Sequence, residues 1–396
     1  MKEEIMVQEN NSVPKINVLV ALDKASYNGK IHGGGRSFFN IVTRINQKRF
    51  NVIPCILRKE DSLKSLFEKH GVRVNYLGRG KFDPFVLFDF IRLIKSEKIH
   101  ILHLNSFASH QFGRLAGAIT GVPTIIHARG LTDYPYSWYQ QISDWFLARF
   151  TDQAIAVSKI VKEAYIANRK IDGDKVIVMP NGVPLEEFKP LPAEQRREIK
   201  RRLGIKPDHQ VVGTVTRFIE LKGNRYFLEA AAKVLQILPN TNFLVVGDGP
   251  LFQELKKLSR QLKLENHVFF TGFSDNVPAI LSIIDVKVVS SLSEGFGNIL
   301  VEAMSMGKAI VATNVAGLKE IVTDGKTGLL VPPRDPQAMA EQIIYLLQHE
   351  KERNRLELKS QDESRKYALD VYIRNLEKVY EEVAAKRVGE ILKTEK

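Results

Sequence analysis

Ser291-Leu292-Ser293-Glu294-Gly295-Phe296-Gly297-Asn298-Ile299-Leu300-Val301-Glu302 follows an apolar run at 286–290 and opens an amphipathic one at 298–306. A short β-rich run, a glycine turn and a helical period, in that order, form the repeating unit of a parallel α/β sheet. The turn falls at the carboxyl end of the strand, where open α/β sheets bind ligands. Gly295 and Gly297 predict unusual backbone angles and room for a ligand. The helix after them presents free N–H groups suited to phosphate or hydroxyl oxygens. Glu294 and Glu302 stand on either side of the turn, each able to accept hydrogen bonds from a pair of vicinal hydroxyls.

The alternation extends outward in both directions. Toward the C-terminal end, strands are predicted at 309–312 and 328–331 and a helix at 336–348; toward the N-terminal end lie strands at 211–215, 242–246 and 268–270, with helices at 224–238, 251–262 and 277–284. The first half repeats the scheme, with strands at 16–22, 52–57, 72–76, 101–104, 124–127, 153–157 and 176–179. Its helices are predicted at 35–46, 62–69, 84–97, 111–120, 137–150 and 159–168. The stretch 180–192 carries four prolines and no periodicity. The expected organisation is a domain over 1–183, a linker over 184–192, a second domain over 193–364, and a terminal helix over 365–396. In that last segment Tyr367, Leu369, Tyr372, Ile373, Leu376, Val379 and Tyr380 recur at helical spacing and must bury one face.

Two further loops carry chemistry. Arg217 and Lys222 lie five apart after the strand at 211–215, and two cations on one strand-to-helix loop can converge on a single polyanion. His32-Gly33-Gly34-Gly35-Arg36 follows the first strand and lets a backbone approach a ligand. It is neither a G-x-G-x-x-G nor a Walker loop, so NAD and ATP gain little support. His127 closes a strand, where a neutral imidazole can reach a hydroxyl or a leaving phosphate. Read alone, it is equally a satisfied structural histidine.

Glu294 to Glu302 resembles the E-x7-E motif of retaining GT-B glycosyltransferases, above all glycosyltransferase family 4. Gly307-Lys308-Ala309-Ile310-Val311-Ala312-Thr313 resembles that family's "GKPVVAT" strand, and Gly317–Val322 with Gly325–Val331 its "GGxxEIV…G.TGLLV" stretch. Val246-Gly247-Asp248-Gly249-Pro250 contains its "GDGP", and Pro180-Asn181-Gly182-Val183 its linker, with Pro184 in place of the usual Asp. The resemblance implies two Rossmann-like domains facing across a cleft, with a C-terminal helix crossing back. It implies that Glu294, Gly295, Phe296, Gly297 and Asn298 hold the donor hexose and Glu302 the ribose. Arg217 and Lys222 would hold the pyrophosphate, Gly34 and Gly35 the donor phosphate and acceptor, and Phe273, in Thr271-Gly272-Phe273, the base. His127 resembles the family histidine, with Ala128 replacing the Asp beside it. Thr216 replaces the glycine usual before the arginine.

The implied activity is transfer of a hexose from a UDP- or GDP-sugar to a glycan or lipid-linked acceptor, with retention of configuration, in bacterial surface polysaccharide or lipopolysaccharide synthesis. No metal-ligand cluster stands in the sequence, so no metal or other cofactor is expected. A nucleotide-sugar epimerase and a non-catalytic nucleotide-sugar-binding protein are the alternatives on the same fold.

Composition narrows the setting. One cysteine among 396 residues excludes a disulfide framework and fits a reducing compartment. No apolar run is long enough to span a bilayer, and a cytoplasmic location is expected. The net charge of +13 is uneven, since residues 1–183 carry 26 Lys and Arg against 16 Asp and Glu. Such an excess favours an anionic partner. No nucleic-acid-binding motif accompanies it, which leaves an anionic membrane face, met from the inner side, or a merely solvated surface. Phe82, Phe85, Val86, Phe88, Phe90 and Ile91, flanked by Lys81, Arg92, Lys95 and Lys98, suit either a membrane-facing stripe or a core helix.

Overall fold

The computed structural model describes residues 15–27, 29–31, 33–80, 82–128 and 138–394. Fifteen strands are present among them. β1 (Ile16–Leu22) is followed by a hairpin, β2 (Ser26–Tyr27) and β3 (Lys30–Ile31), then by β4 (Phe50–Ile56), β5 (Asn75–Tyr76), β6 (Ile101–Leu104), β7 (Thr124–Ala128), β8 (Gln153–Ala156) and β9 (Val176–Val178). The second set is β10 (Gln210–Val215), β11 (Thr241–Val246), β12 (Val268–Gly272), β13 (Val286–Val289), β14 (Ala309–Thr313) and β15 (Leu329–Val331).

The hairpin apart, these strands make two parallel sheets, ordered β5-β4-β1-β6-β7-β8-β9 and β12-β11-β10-β13-β14-β15. Counted within each sheet, both begin 3-2-1-4-5-6, the doubly wound order of Rossmann folds. Its reversal point lies between the first and fourth strands, here β1/β6 and β10/β13. Both sheets are covered on each face, which explains why their strands read as continuous apolar runs. Val18, Val20, Ile125 and Ile155 face one helical layer of the first domain, while Leu19, Leu102, Ile126 and Ala154 face the other. The second domain divides in the same way, Val212, Phe243 and Val288 on one side and Leu244, Ile284 and Ile310 on the other.

The chain passes between the domains twice. It crosses first at Asn181–Val183, then returns after the helices Pro336–Gln348 and Glu350–Ser364. At the return, the Val183 N–H donates to the Tyr367 carbonyl and the Leu369 N–H to the Val183 carbonyl, each at 2.8 Å. The helix Leu369–Thr394 then lies on the first domain, burying Leu369, Tyr372, Ile373, Leu376, Val379 and Tyr380 against its sheet. Its charged outer face supplies Glu377, whose carboxylate accepts from the Asn46 N–H at 2.8 Å.

Candidate active site

The loop between β10 and the helix Asn224–Ile237 carries Arg217 and Lys222. It is held from below by the turn after β11. The Phe218 N–H donates to the Asp248 carbonyl at 2.9 Å. Gly247 sits at φ +138°, and a Cβ there would fall 1.8 Å from the Thr216 carbonyl oxygen. The loop is joined sideways to the turn after β13, where the Leu292 N–H donates to the Leu221 carbonyl at 2.8 Å and the Ser290 hydroxyl to the Lys222 carbonyl at 2.9 Å. These main-chain ties set Lys222 beside Glu294, and its ammonium donates to both carboxylate oxygens at 2.7 and 2.6 Å. Arg217 remains exposed and enters no ion pair among the described residues.

Two adjoining cavities open between the domains. One, of about 340 Å³, is lined by Arg217, Lys222, Ser290, Ser291, Glu294, Phe296 and Asn298 from the second domain, with Gly33, Gly34 and Asn181 opposite. The other, of about 290 Å³, adds Arg36, Asp248, Phe273 and Glu302. The helix Asn298–Ser305 begins where they meet, and its unpaired N–H groups make that end electropositive. The helix Gly33–Arg44 aims its own N-terminus at the same space from across the cleft. Phe273 exposes 40% of its surface, which leaves its ring accessible in the second cavity.

Glu302 is half-buried, and removal from water pushes its carboxyl up to about 7, against the pull of Arg36 and Lys287. Lys287, fully buried in β13, is the converse case. Burial draws its amine down to about 7, partly offset by Glu302, and its Nζ donates to the Val288 carbonyl at 2.8 Å.

Several expected residues have different surroundings from those the sequence suggested. Gly34 lines the first cavity, but Gly35 is buried, and a Cβ on it would lie 2.2 Å from the Ala25 carbonyl oxygen; it permits close packing of helix on loop. Neither Gly295 nor Gly297 takes a positive φ. At Gly297 the constraint is space, since a Cβ would meet the Leu318 side chain at 2.9 Å. Phe296 lines the first cavity and also packs against core residues of both domains, with its ring edge-on to Tyr367 at 5.6 Å. His127 is 2% exposed and lines neither cavity. Its ring is stacked with His103 at 5.5 Å and with Tyr372 of the terminal helix at 6.3 Å. His32, Arg129 and Gly130 lie outside the described residues.

Asn181, Arg36 and Lys287 were not foreseen. Asn181, in the crossing segment, donates through Nδ2 to the Asn298 Oδ1 at 3.1 Å and lines both cavities. A further contact joins the domains at the cleft rim. Glu320 of the second domain accepts from the Lys159 and Ile160 N–H groups at 2.8 and 3.1 Å, at the start of the helix Lys159–Arg169. The Ser158 hydroxyl caps the next N–H, that of Val161, at 3.4 Å.

Two doubly wound domains with a cleft between their strand ends make a fold of the GT-B type. The family model described as "Glycosyl transferases group 1" matches residues 195–362, and that described as "Glycosyltransferase Family 4" matches 31–187. The chain belongs to the group 1, family 4 glycosyltransferases. It is 27% identical to the Escherichia coli UDP-Gal:alpha-D-GlcNAc-diphosphoundecaprenol alpha-1,3-galactosyltransferase over 76% of this chain and 84% of that one. It is 28% identical to the alpha-D-kanosaminyltransferase of Streptomyces kanamyceticus, over 72% and 77%. Among solved structures, Anabaena HepE in complex with UDP and glucose aligns with a TM-score of 0.82 at 22% identity, covering 93% of this chain and all of that one. Sucrose-phosphate synthase from Thermosynechococcus elongatus aligns at 0.78 and 20% identity, over 94% of this chain. At those identities the likeness is one of fold.

Proposed function

We propose that this glycosyltransferase moves a hexose from a UDP- or GDP-sugar to a glycan or lipid-linked acceptor with retention of configuration. The observation that carries the reading is the convergence of Arg217, Lys222, Glu294 and the amide end of the helix Asn298–Ser305 on one cavity, with Gly33 and Gly34 closing it from the other domain. In this reading Arg217, Lys222 and the helix amides bind the diphosphate, Glu294 the hexose hydroxyls and Glu302 the ribose. Phe273 offers an apolar face to the base.

The acceptor hydroxyl oxygen bonds to the anomeric carbon as the bond from that carbon to the β-phosphate oxygen breaks. The hydroxyl proton passes to the departing phosphate on the same face. Negative charge grows on the diphosphate, and preorganised cations lower the barrier because they need not reorganise at that moment. Arg217 and Lys222 suit this role without a metal, and we propose that none is required.

The E. coli relative is named for a UDP-galactose donor and a lipid-diphosphate acceptor, and HepE was solved with UDP. The first supports a UDP-sugar donor and a lipid-linked acceptor, the second a UDP-sugar donor, and on that footing we propose a role in bacterial surface polysaccharide or lipopolysaccharide synthesis. The test is thermal stabilisation by a panel of UDP- and GDP-sugars, followed by NMR of the first product with the stabilising donor. Stabilisation by none, or an inverted anomer, refutes the corresponding part.

A further inference from the structure

We infer that the helices Phe85–Ser96, Phe107–Thr120 and Trp138–Leu147 together form a face that docks on an anionic lipid bilayer. The inference extends the lipid-linked acceptor reading above and rests on it for its purpose, though not for its evidence. These helices cover one side of the first sheet, the Phe107–Thr120 helix lying between the other two. Their inward residues, among them Val86, Phe90, Leu93, Ala108 and Ala116, belong to the core. Large apolar side chains also stand outward. Phe85 and Phe88 are 57% and 64% exposed, Ile142 55%, Trp145 57% and Phe146 45%; Phe82 and Trp138, at the ends that face the cleft, are 50% and 73% exposed. The six-residue stripe foreseen around Phe82 thus divides, Val86 and Phe90 going to the core and Phe82, Phe85 and Phe88 to the surface.

Charge decides what covers this face. The three helices contain two carboxylates, Asp89 and Asp144. Both are buried and taken up by arginines. Asp89 accepts from Arg79 at 2.7 Å and from Arg92 at 3.2 Å; Asp144 forms ion pairs with Arg169, at 2.8 Å, and with Arg114. The helices therefore turn no acid outward, while Arg92, Lys95 and Arg149 stay exposed at their edges. Monomers seldom expose this many large apolar side chains on one side of a sheet. Aromatic rings bordered by cations, with the acid between Phe82 and Phe85, Asp83, paired with Arg79 at 3.9 Å, match the boundary between acyl chains and anionic headgroups. The excess positive charge of residues 1–183 acts in the same direction. No described helix is long and apolar enough to cross a membrane, so contact is with one leaflet. Helices of a parallel sheet begin at its carboxyl edge, so this face runs up to the rim of the cleft and would deliver a lipid-borne acceptor there.

The chain's two tryptophans, Trp138 and Trp145, both lie on this face and report on it without mutation. With vesicles of equal phosphatidylglycerol and phosphatidylcholine, their emission should shift to the blue and be quenched by brominated acyl chains. Phe85→Ser with Phe88→Ser, and separately Trp145→Ser, should each lower the partition coefficient about tenfold or more, the loss expected when a large ring no longer enters the acyl boundary. Unchanged circular dichroism and melting temperature would show these exposed positions are not needed for folding. Three results overturn the inference: emission unaffected by vesicles, equal binding to pure phosphatidylcholine, or a blue shift in the absence of lipid that disappears on dilution and so reveals self-association. Stabilisation by a UDP-sugar together with any of these leaves the proposed reaction standing and removes only the docking face.

Discussion

Replacing Lys222 by Met separates two uses of one ammonium group. In the unliganded chain Lys222 donates to both oxygens of Glu294, and the two side chains are 21% and 14% exposed. Removing one partner of a fully buried pair costs about 3–5 kcal/mol, and an exposed pair contributes about 0–1 kcal/mol. A pair this accessible falls between, so Lys222→Met should destabilise by about 1–2 kcal/mol, measured by urea unfolding. Glu294→Gln in the same background should recover most of that, because the stranded charge is gone. Catalysis should behave differently. Loss of a fixed donor to developing negative charge costs about 10²–10³ in kcat, or roughly 3–4 kcal/mol. That loss should persist in the double variant, because a neutral amide in place of the Glu294 carboxylate cannot serve the diphosphate. Stability from the cycle and turnover from coupled UDP release are then compared. If Lys222→Met binds and turns over donor like the parent, the ammonium serves only Glu294 and the assigned role is wrong.

Three further outcomes follow from the same geometry. Arg217→Ala should weaken nucleoside diphosphate binding by about tenfold to a hundredfold, seen by calorimetry, with little change in unfolding, because this guanidinium is exposed and unpaired among the described residues. In the proposed site the ionised form of Glu302 would accept from both ribose hydroxyls, and burial pushes its carboxyl up to about 7. UDP affinity should therefore rise as pH climbs through that value, and Glu302→Gln should flatten the profile. Stability of the unliganded chain has the opposite sign. The folded carboxyl holds its proton above the ordinary carboxylate range, so its contribution falls as pH rises from that range through about 7. Glu320→Ala strips two N–H groups of their acceptor across the cleft, at a cost of about 1–2 kcal/mol by the scale of helix caps. Small-angle scattering should show a larger radius of gyration, reversed by donor; an unchanged radius would show that this contact does not hold the domains together.

The sheets were legible because their strands are buried on both faces and read as plain apolar runs, β1 and β6 to the residue. Where a helix lacked an apolar face the signal was absent. Ala193–Arg202 buries none of its residues and went unrecognised. The helix at 107 begins four residues before its expected start, since Ser106 is capped reciprocally by Ser109 and not by the Glu or Gln that marks such boxes. At the site, the residue types were readable and their partners were not. Lys222 and Glu294 are 72 apart in sequence, and only the main-chain ties between their loops bring them into contact. His127 reads as a strand-end ligand, but its ring stacks with His103 and with Tyr372 of a helix more than two hundred residues later. Lys287 in Val-Lys-Val-Val looks like an outward strand residue and is completely buried.

The two crossings between domains run side by side, bonded to each other through Val183 on both its N–H and its carbonyl. A single connection would leave the halves free to swing and twist about any direction. A paired one behaves as a hinge with a preferred axis, and opening of the cleft becomes a rotation about it. The last helix then travels with the first domain although it emerges from the second. Shortening the chain before Leu369 would therefore remove half of the hinge and bare the apolar face of the first sheet in one step.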